Sequence, residues 1–352
     1  MPTESVRVYR RRRLVVGGGI LVVVAAAVTA ATALSGRGTP APIATHRAPA
    51  QTPAGTAPAA SVTTTSAPSG RPGAVGMTTM AFVESSAGGA RTLPTTVRYP
   101  ATPSGGADRA GGPYPLIVFS QGYDVTADTY DALLAYWAAA GFVVADPTYP
   151  HTSPGASGGV DETDILRHPA DLGYVIAQLV AASSDPASPL YRMIDPGAIG
   201  IAGHSDGGDV SLAVAADSCC RVGAVRAAAV LSGAELNSFG GRYYASPSPP
   251  LLVTQGSADT INVPACSTEL YNAAPTPKWY LDLIGAGHQA PYFTVDPYEE
   301  AVARVTTDFF DLYLRHDAAG ADRMVADGTV TGVASLTGAP SVPDAPGYCP
   351  GA

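Results

Sequence analysis

Basic residues are scarce over most of the chain. From Met77 onward, 12 Lys and Arg stand against 28 Asp and Glu. A surface with that balance repels a phosphate backbone, which argues against nucleic acid as a partner. Charged residues make up only 14% of the 352-residue chain, against 46% hydrophobic ones, so a large core is easily filled. Cysteine is equally sparse. Cys219, Cys220, Cys266 and Cys349 include no C-x-x-C pair, so a zinc or similar metal site is not expected. No internal repeat is present, and no long apolar insertion breaks the chain in the manner of a lid.

The first quarter differs from the rest. Arg7 and Arg10 to Arg13 precede an uncharged apolar run, Leu14 to Leu34, of 21 residues. A bilayer span needs about 20 such residues, and the basic flank would stay on the cytoplasmic side. Ala31-Thr32-Ala33 offers a small-residue cleavage site, and the Arg cluster also fits twin-arginine export. Residues 1–34 are therefore expected to act as a signal peptide or a signal-anchor. Residues 14–34 would form a membrane tether in the second case, and the chain is exported in both. No Cys follows the run, which argues against a lipid-modified anchor. Residues 35–76, rich in Pro, Ala, Thr and Ser without hydrophobic periodicity, read as a disordered linker. Residues 77–340 are expected to form a catalytic domain, and residues 341–352 a tail. In an oxidising compartment the four cysteines allow three pairings.

Within the domain, short apolar runs alternate with helical patterns. "PLIVFSQG", "GFVVADPTYP", "AIGIAGHS", "VRAAAVLSG", "PPLLVTQG" and "KWYLDLIGAGHQ" read as strands buried on both faces. "TTVRYP" reads as an exposed or edge strand. Helices are expected over Asp128–Ala140, Thr163–Ala182 and Asp206–Ala216, and over the stretch from Asp296 to Asp317. This alternation predicts an α/β fold, a mostly parallel central sheet with helices on both faces.

Gly203-His204-Ser205-Asp206-Gly207 lies where the third buried strand should meet a helix. A G-x-S-x-G turn in that context bends the backbone so tightly that bulky flanking residues would clash, and it lifts the Ser205 hydroxyl above the sheet. The bland alternative is that Ser205 merely caps the helix. A serine alcohol needs a base to take its proton. His288, on the loop after the last strand, is the best-placed histidine; His204, beside Ser205, is expected to point away. The base needs a carboxylate to fix its tautomer. Asp259 follows a buried strand through a Gly-containing turn, with Glu235 as second choice. Backbone N–H groups of Asp206 and Tyr123 would receive the negative oxygen of an attacked carbonyl. Gln121, Tyr149 and His151 are expected to line the substrate pocket, with Trp137 or Tyr292 as further candidates.

The ordered set "LIVFSQGYD", "GHSDGGD", "QGSADT" and "GAGH" resembles the α/β-hydrolase superfamily over roughly residues 78–318. Within it the chain is similar to secreted actinobacterial hydrolases near the platelet-activating-factor acetylhydrolase, chlorophyllase and cutinase-like polyester hydrolase groups. The resemblance implies a carboxylic-ester hydrolase that needs no cofactor, with Ser205 as nucleophile, Asp259 as acid and His288 as base. It also implies a small-molecule or lipid-like ester as substrate. Two residues depart from the pattern. Gln121 stands where many relatives have His, and Asp206 replaces the Met, Phe or Gln common after the nucleophile. A carboxylate there disfavours anionic acyl groups. Small to medium acyl chains are expected.

Overall fold

The computed structural model describes residues 73–86, 89–342 and 349. The proposed signal or tether segment and nearly all of the linker lie outside the described residues. Among those described, no helix is long and apolar enough to cross a membrane.

Among the described residues, nine strands form one sheet in the order β1-β2-β4-β3-β5-β6-β7-β8-β9. The central six, β3 (Tyr114–Ser120), β4 (Val143–Pro147), β5 (Ile194–His204), β6 (Val225–Leu231), β7 (Leu251–Gly256) and β8 (Lys278–Leu283), run parallel. They are the six apolar runs of the sequence. Strand β3 shows why they read as they do. Leu116 and Val118 face one core, Ile117 and Phe119 the other, and all four are fully buried. Such a strand has no polar face to alternate with.

Antiparallel pairs close both edges. Strand β1 (Ala74–Ser86) pairs along its length with β2 (Gly89–Ala101), and β9 (Ala334–Ser335) flanks β8. This corrects the reading of "TTVRYP". Thr95 to Arg98 pair with β4, so β2 lies inside the sheet and β1 is the edge. Strand β1 also begins three residues inside the expected linker.

One face is covered by α2 (His168–Ser184), α3 (Asp206–Ala216) and α4 (Pro264–Ala273), the other by α1 (Asp131–Ala139) and α6 (Pro297–Leu314). A one-turn helix, α5 (Ala290–Phe293), precedes α6, and α7 (Ala319–Asp327) packs beside it. Helix α2 starts later than expected. Residues Glu162–Arg167 form a 3₁₀ segment, and Pro169, which has no N–H to donate, sits in the first turn of the α-helix. Arg91 on β2 fastens that end, its guanidinium held by Asp171 (2.6 Å) and Asp164 (2.7 Å). Of the three cysteine pairings, the structure has Cys219–Cys220 and Cys266–Cys349. The second ties the tail to α4.

Candidate active site

Strand β5 ends at His204 and α3 begins at Asp206, leaving a single residue to make the turn. That residue, Ser205, has φ 58° and ψ −125°, a conformation that costs an L-residue of order 1–3 kcal/mol. The flanking glycines show what holds it. A Cβ on Gly207 would run into the carbonyls of Ser120 and Gln121, and one on Gly203 into the carbonyl of Gly207. Ser205 does not cap α3 with its side chain, which removes the bland reading of this serine. Its backbone is fixed instead, its N–H donating to the Leu231 carbonyl at 3.0 Å and its own carbonyl accepting from Gly208 and Asp209. At 4% exposure the residue is covered.

The loop after β3 runs alongside. A Cβ on Gly122 would lie 3.3 Å from that of Ser205. The loop therefore passes close to Ser205 just before half-buried Tyr123. The loop is tied down by the Asp124 N–H on the Thr152 carbonyl (2.8 Å) and the Gln121 amide on Ser153 Oγ (2.5 Å).

His288 follows β8, and its Nδ1–H donates to Asp259 Oδ2 at 2.7 Å. Asp259 is oriented by three further donors. Its Oδ1 accepts from the Ile261 and Asn262 N–H groups, and its Oδ2 also accepts from the Gln255 amide. With all these acceptor positions filled in a buried site, the carboxylate has one orientation, and it fixes the imidazole with Nε2 as the basic nitrogen. Glu235 is not the partner of His288. It lies in the loop after β6, where burial first, then Glu269 and Asp217, push its carboxyl up to about 7.

The expected pocket residues separate. Gln121 is buried at the start of the loop after β3. Tyr149 is fully buried, hydrogen-bonded to Ser120 Oγ and stacked 3.7 Å from the His168 ring, so it supports β3 from the core. His151 is exposed, and its neighbours Thr152 and Ser153 turn inward in its place. Trp137 and Tyr292 are core residues, hydrogen-bonded to Thr306 and to Ser232 and Thr254. Asp206 is buried at the start of α3, and its charge acts on His168. Burial lowers the His168 pKa, against the pull of Asp164, Asp171 and Asp206.

Sequence reasoning missed the supports: Tyr130, Thr152, Ser153, Gln255 and Asn262. It also set His204 aside. In the structure the His204 ring lies 4.7 Å from that of His288, with its Nε2 2.9 Å from the His288 main-chain oxygen. Among the described residues no cluster of three or more His, Cys, Asp or Glu could hold a metal ion.

This sheet and this elbow define the α/β-hydrolase fold. Residues 101–232 match the family model of chlorophyllase, a family of α/β-hydrolase-like esterases. The matched span holds the loop after β3 and the elbow, and it ends before Asp259 and His288. At the level of reaction class, the similarity supports hydrolysis of ester bonds. No curated protein matches the chain.

Proposed function

We propose that this chain is an exported serine esterase acting on small-molecule or lipid-like esters of small to medium acyl length. The observation that carries this is a serine forced to positive φ between strand and helix, beside a His–Asp pair joined to the same turn. Ser205 Oγ attacks the ester carbonyl carbon while its proton passes to His288 Nε2. The carbonyl oxygen becomes an oxyanion facing the N–H groups of Tyr123 and Asp206. The ester C–O bond then breaks, and the alcohol leaves with the proton from His288. Water attacks the acyl-serine, gives one proton to His288, and releases the carboxylic acid as Ser205 regains its hydrogen. Asp259, hydrogen-bonded to Nδ1, stabilises the imidazolium. Export, with or without retention on a membrane through residues 14–34, rests on the N-terminal sequence.

The test is a series of p-nitrophenyl esters run beside a series of peptide anilides. Turnover should appear with the esters and be strongest at acetyl to hexanoyl, and Ser205→Ala should lower it at least ~1000-fold. Cleavage confined to the anilides would make the chain a peptidase on the same residues and contradict the proposal.

A further inference from the structure

Three buried hydrogen bonds run in series through the site. The Gly122 N–H donates to Tyr130 Oη at 3.1 Å, Tyr130 Oη lies 3.0 Å from His204 Nδ1, and His204 Nε2 lies 2.9 Å from the carbonyl oxygen of His288. Their polarity follows from chemistry. A carbonyl oxygen can only accept, so His204 Nε2 carries the hydrogen. In a neutral ring Nδ1 is then an acceptor, so Tyr130 donates to it and receives the Gly122 N–H on a lone pair. Each link has one direction.

These partners are far apart in sequence and belong to three separate parts of the site. Gly122 precedes Tyr123 in the oxyanion loop. His204 precedes Ser205 at the end of β5. The last acceptor is the main chain of the base itself. Tyr130 and His204 are buried, 0% and 1% exposed. The His204 ring is boxed by Tyr292 at 4.5 Å and Phe293 at 5.3 Å, and Phe293 also meets Tyr130 at 5.1 Å. In such surroundings water is a poor substitute for a lost partner, and a broken link moves a loop. Oxyanion donor, nucleophile and base each need placement to a fraction of an ångström.

We propose that His204 and Tyr130 are positioning residues that hold the oxyanion loop, the nucleophile turn and the base loop in one register. This role rests on the esterase reading of Ser205. Neither side chain need touch substrate, so their loss should act on kcat and leave KM nearly alone.

His204→Phe keeps a ring in the aromatic box and removes both of its hydrogen bonds. Tyr130→Phe removes the hydroxyl alone. With p-nitrophenyl butyrate each should lower kcat by about 10- to 100-fold, with KM within about threefold. Inactivation by a fluorophosphonate should slow by a similar factor. The double variant should be little worse than His204→Phe, because the links act as a unit. His204→Gln, which restores an amide donor towards the His288 carbonyl, should recover part of the loss. In the unmodified protein, ¹⁵N NMR should find His204 protonated at Nε2 and bare at Nδ1, a reading that needs no variant to fold. Folded Phe variants with near-normal kcat, or a His204 protonated at Nδ1 alone, would overturn the proposal. A wild type inert to both esters and fluorophosphonate would sink the esterase reading itself, and this role with it. An active wild type with tolerant variants would sink only the role.

Discussion

Asp259, the proposed partner of the base, shows at the level of one residue how tightly a carboxylate can be held. One of its oxygens is taken by the Ile261 and Asn262 N–H groups, the other by His288 and the Gln255 amide. Three protein donors besides the imidazole leave it no freedom to turn. Asp259→Asn preserves the shape but replaces an acceptor with an amide whose NH₂ must face a donor on one side. If that NH₂ faces His288, the ring is driven to the tautomer with its proton on Nε2, useless as a base. We expect kcat for p-nitrophenyl esters to fall by about 10³–10⁴-fold, with a cooperative thermal transition still present by circular dichroism. A variant within tenfold of wild type would show that the His288–Asp259 pair is structural.

At the level of elements, what was legible depended on whether a signal is local. The six parallel strands are short apolar runs between Pro and Gly, and both ends of α3 are marked in the sequence, because the G-x-S-x-G turn starts it and the chain turns polar after Ala216. Strand β1 escaped because "AVGMTTMAFVESS" mixes its apolar and polar residues and follows linker-like sequence without a break. Helix α4 escaped because it buries little beyond Cys266, Ser267 and Leu270 and so carries a weak period. The triad candidates were visible from order alone, each on the loop after a buried strand. Their supports were not. Tyr130 and His204 are 74 residues apart, and His204 and His288 are 84 apart. Nothing in a single sequence announces a hydrogen bond over such a separation. The pocket residues fared worse still, because the position of a residue after a strand fixes its loop but not the direction of its side chain. Thus His151 faces out while Ser153 faces in.

At the level of the whole molecule, the acidic surplus that argues against nucleic-acid binding also shapes stability. Some of the carboxylates are buried without a cation. Glu299, in the first turn of α6, is 6% exposed, and burial first, then Asp296 and Glu300, push its carboxyl up to about 7. Its folded value lies above its ordinary one. It therefore contributes stability that is fully present below about pH 4.5 and is lost as pH rises through about 7. His168 works the other way, since burial lowers its pKa; its contribution is present above about 6.5 and is lost as pH falls below that. Replacing one residue separates the two. Relative to wild type, Glu299→Gln should melt higher at pH 8 than at pH 5 in calorimetry. An equal difference at both values would show that Glu299 does not titrate as its burial dictates.

The whole account depends on Ser205 being an activated alcohol, and covalent labelling reads that directly. Treating the intact protein with a fluorophosphonate and mapping the product by peptide mass spectrometry should give one adduct, on Ser205. The adduct should be absent in Ser205→Ala and form at a strongly reduced rate in His288→Ala. A folded protein that takes up no label, or carries it on another residue, would contradict the assignment of this turn as the seat of the chemistry.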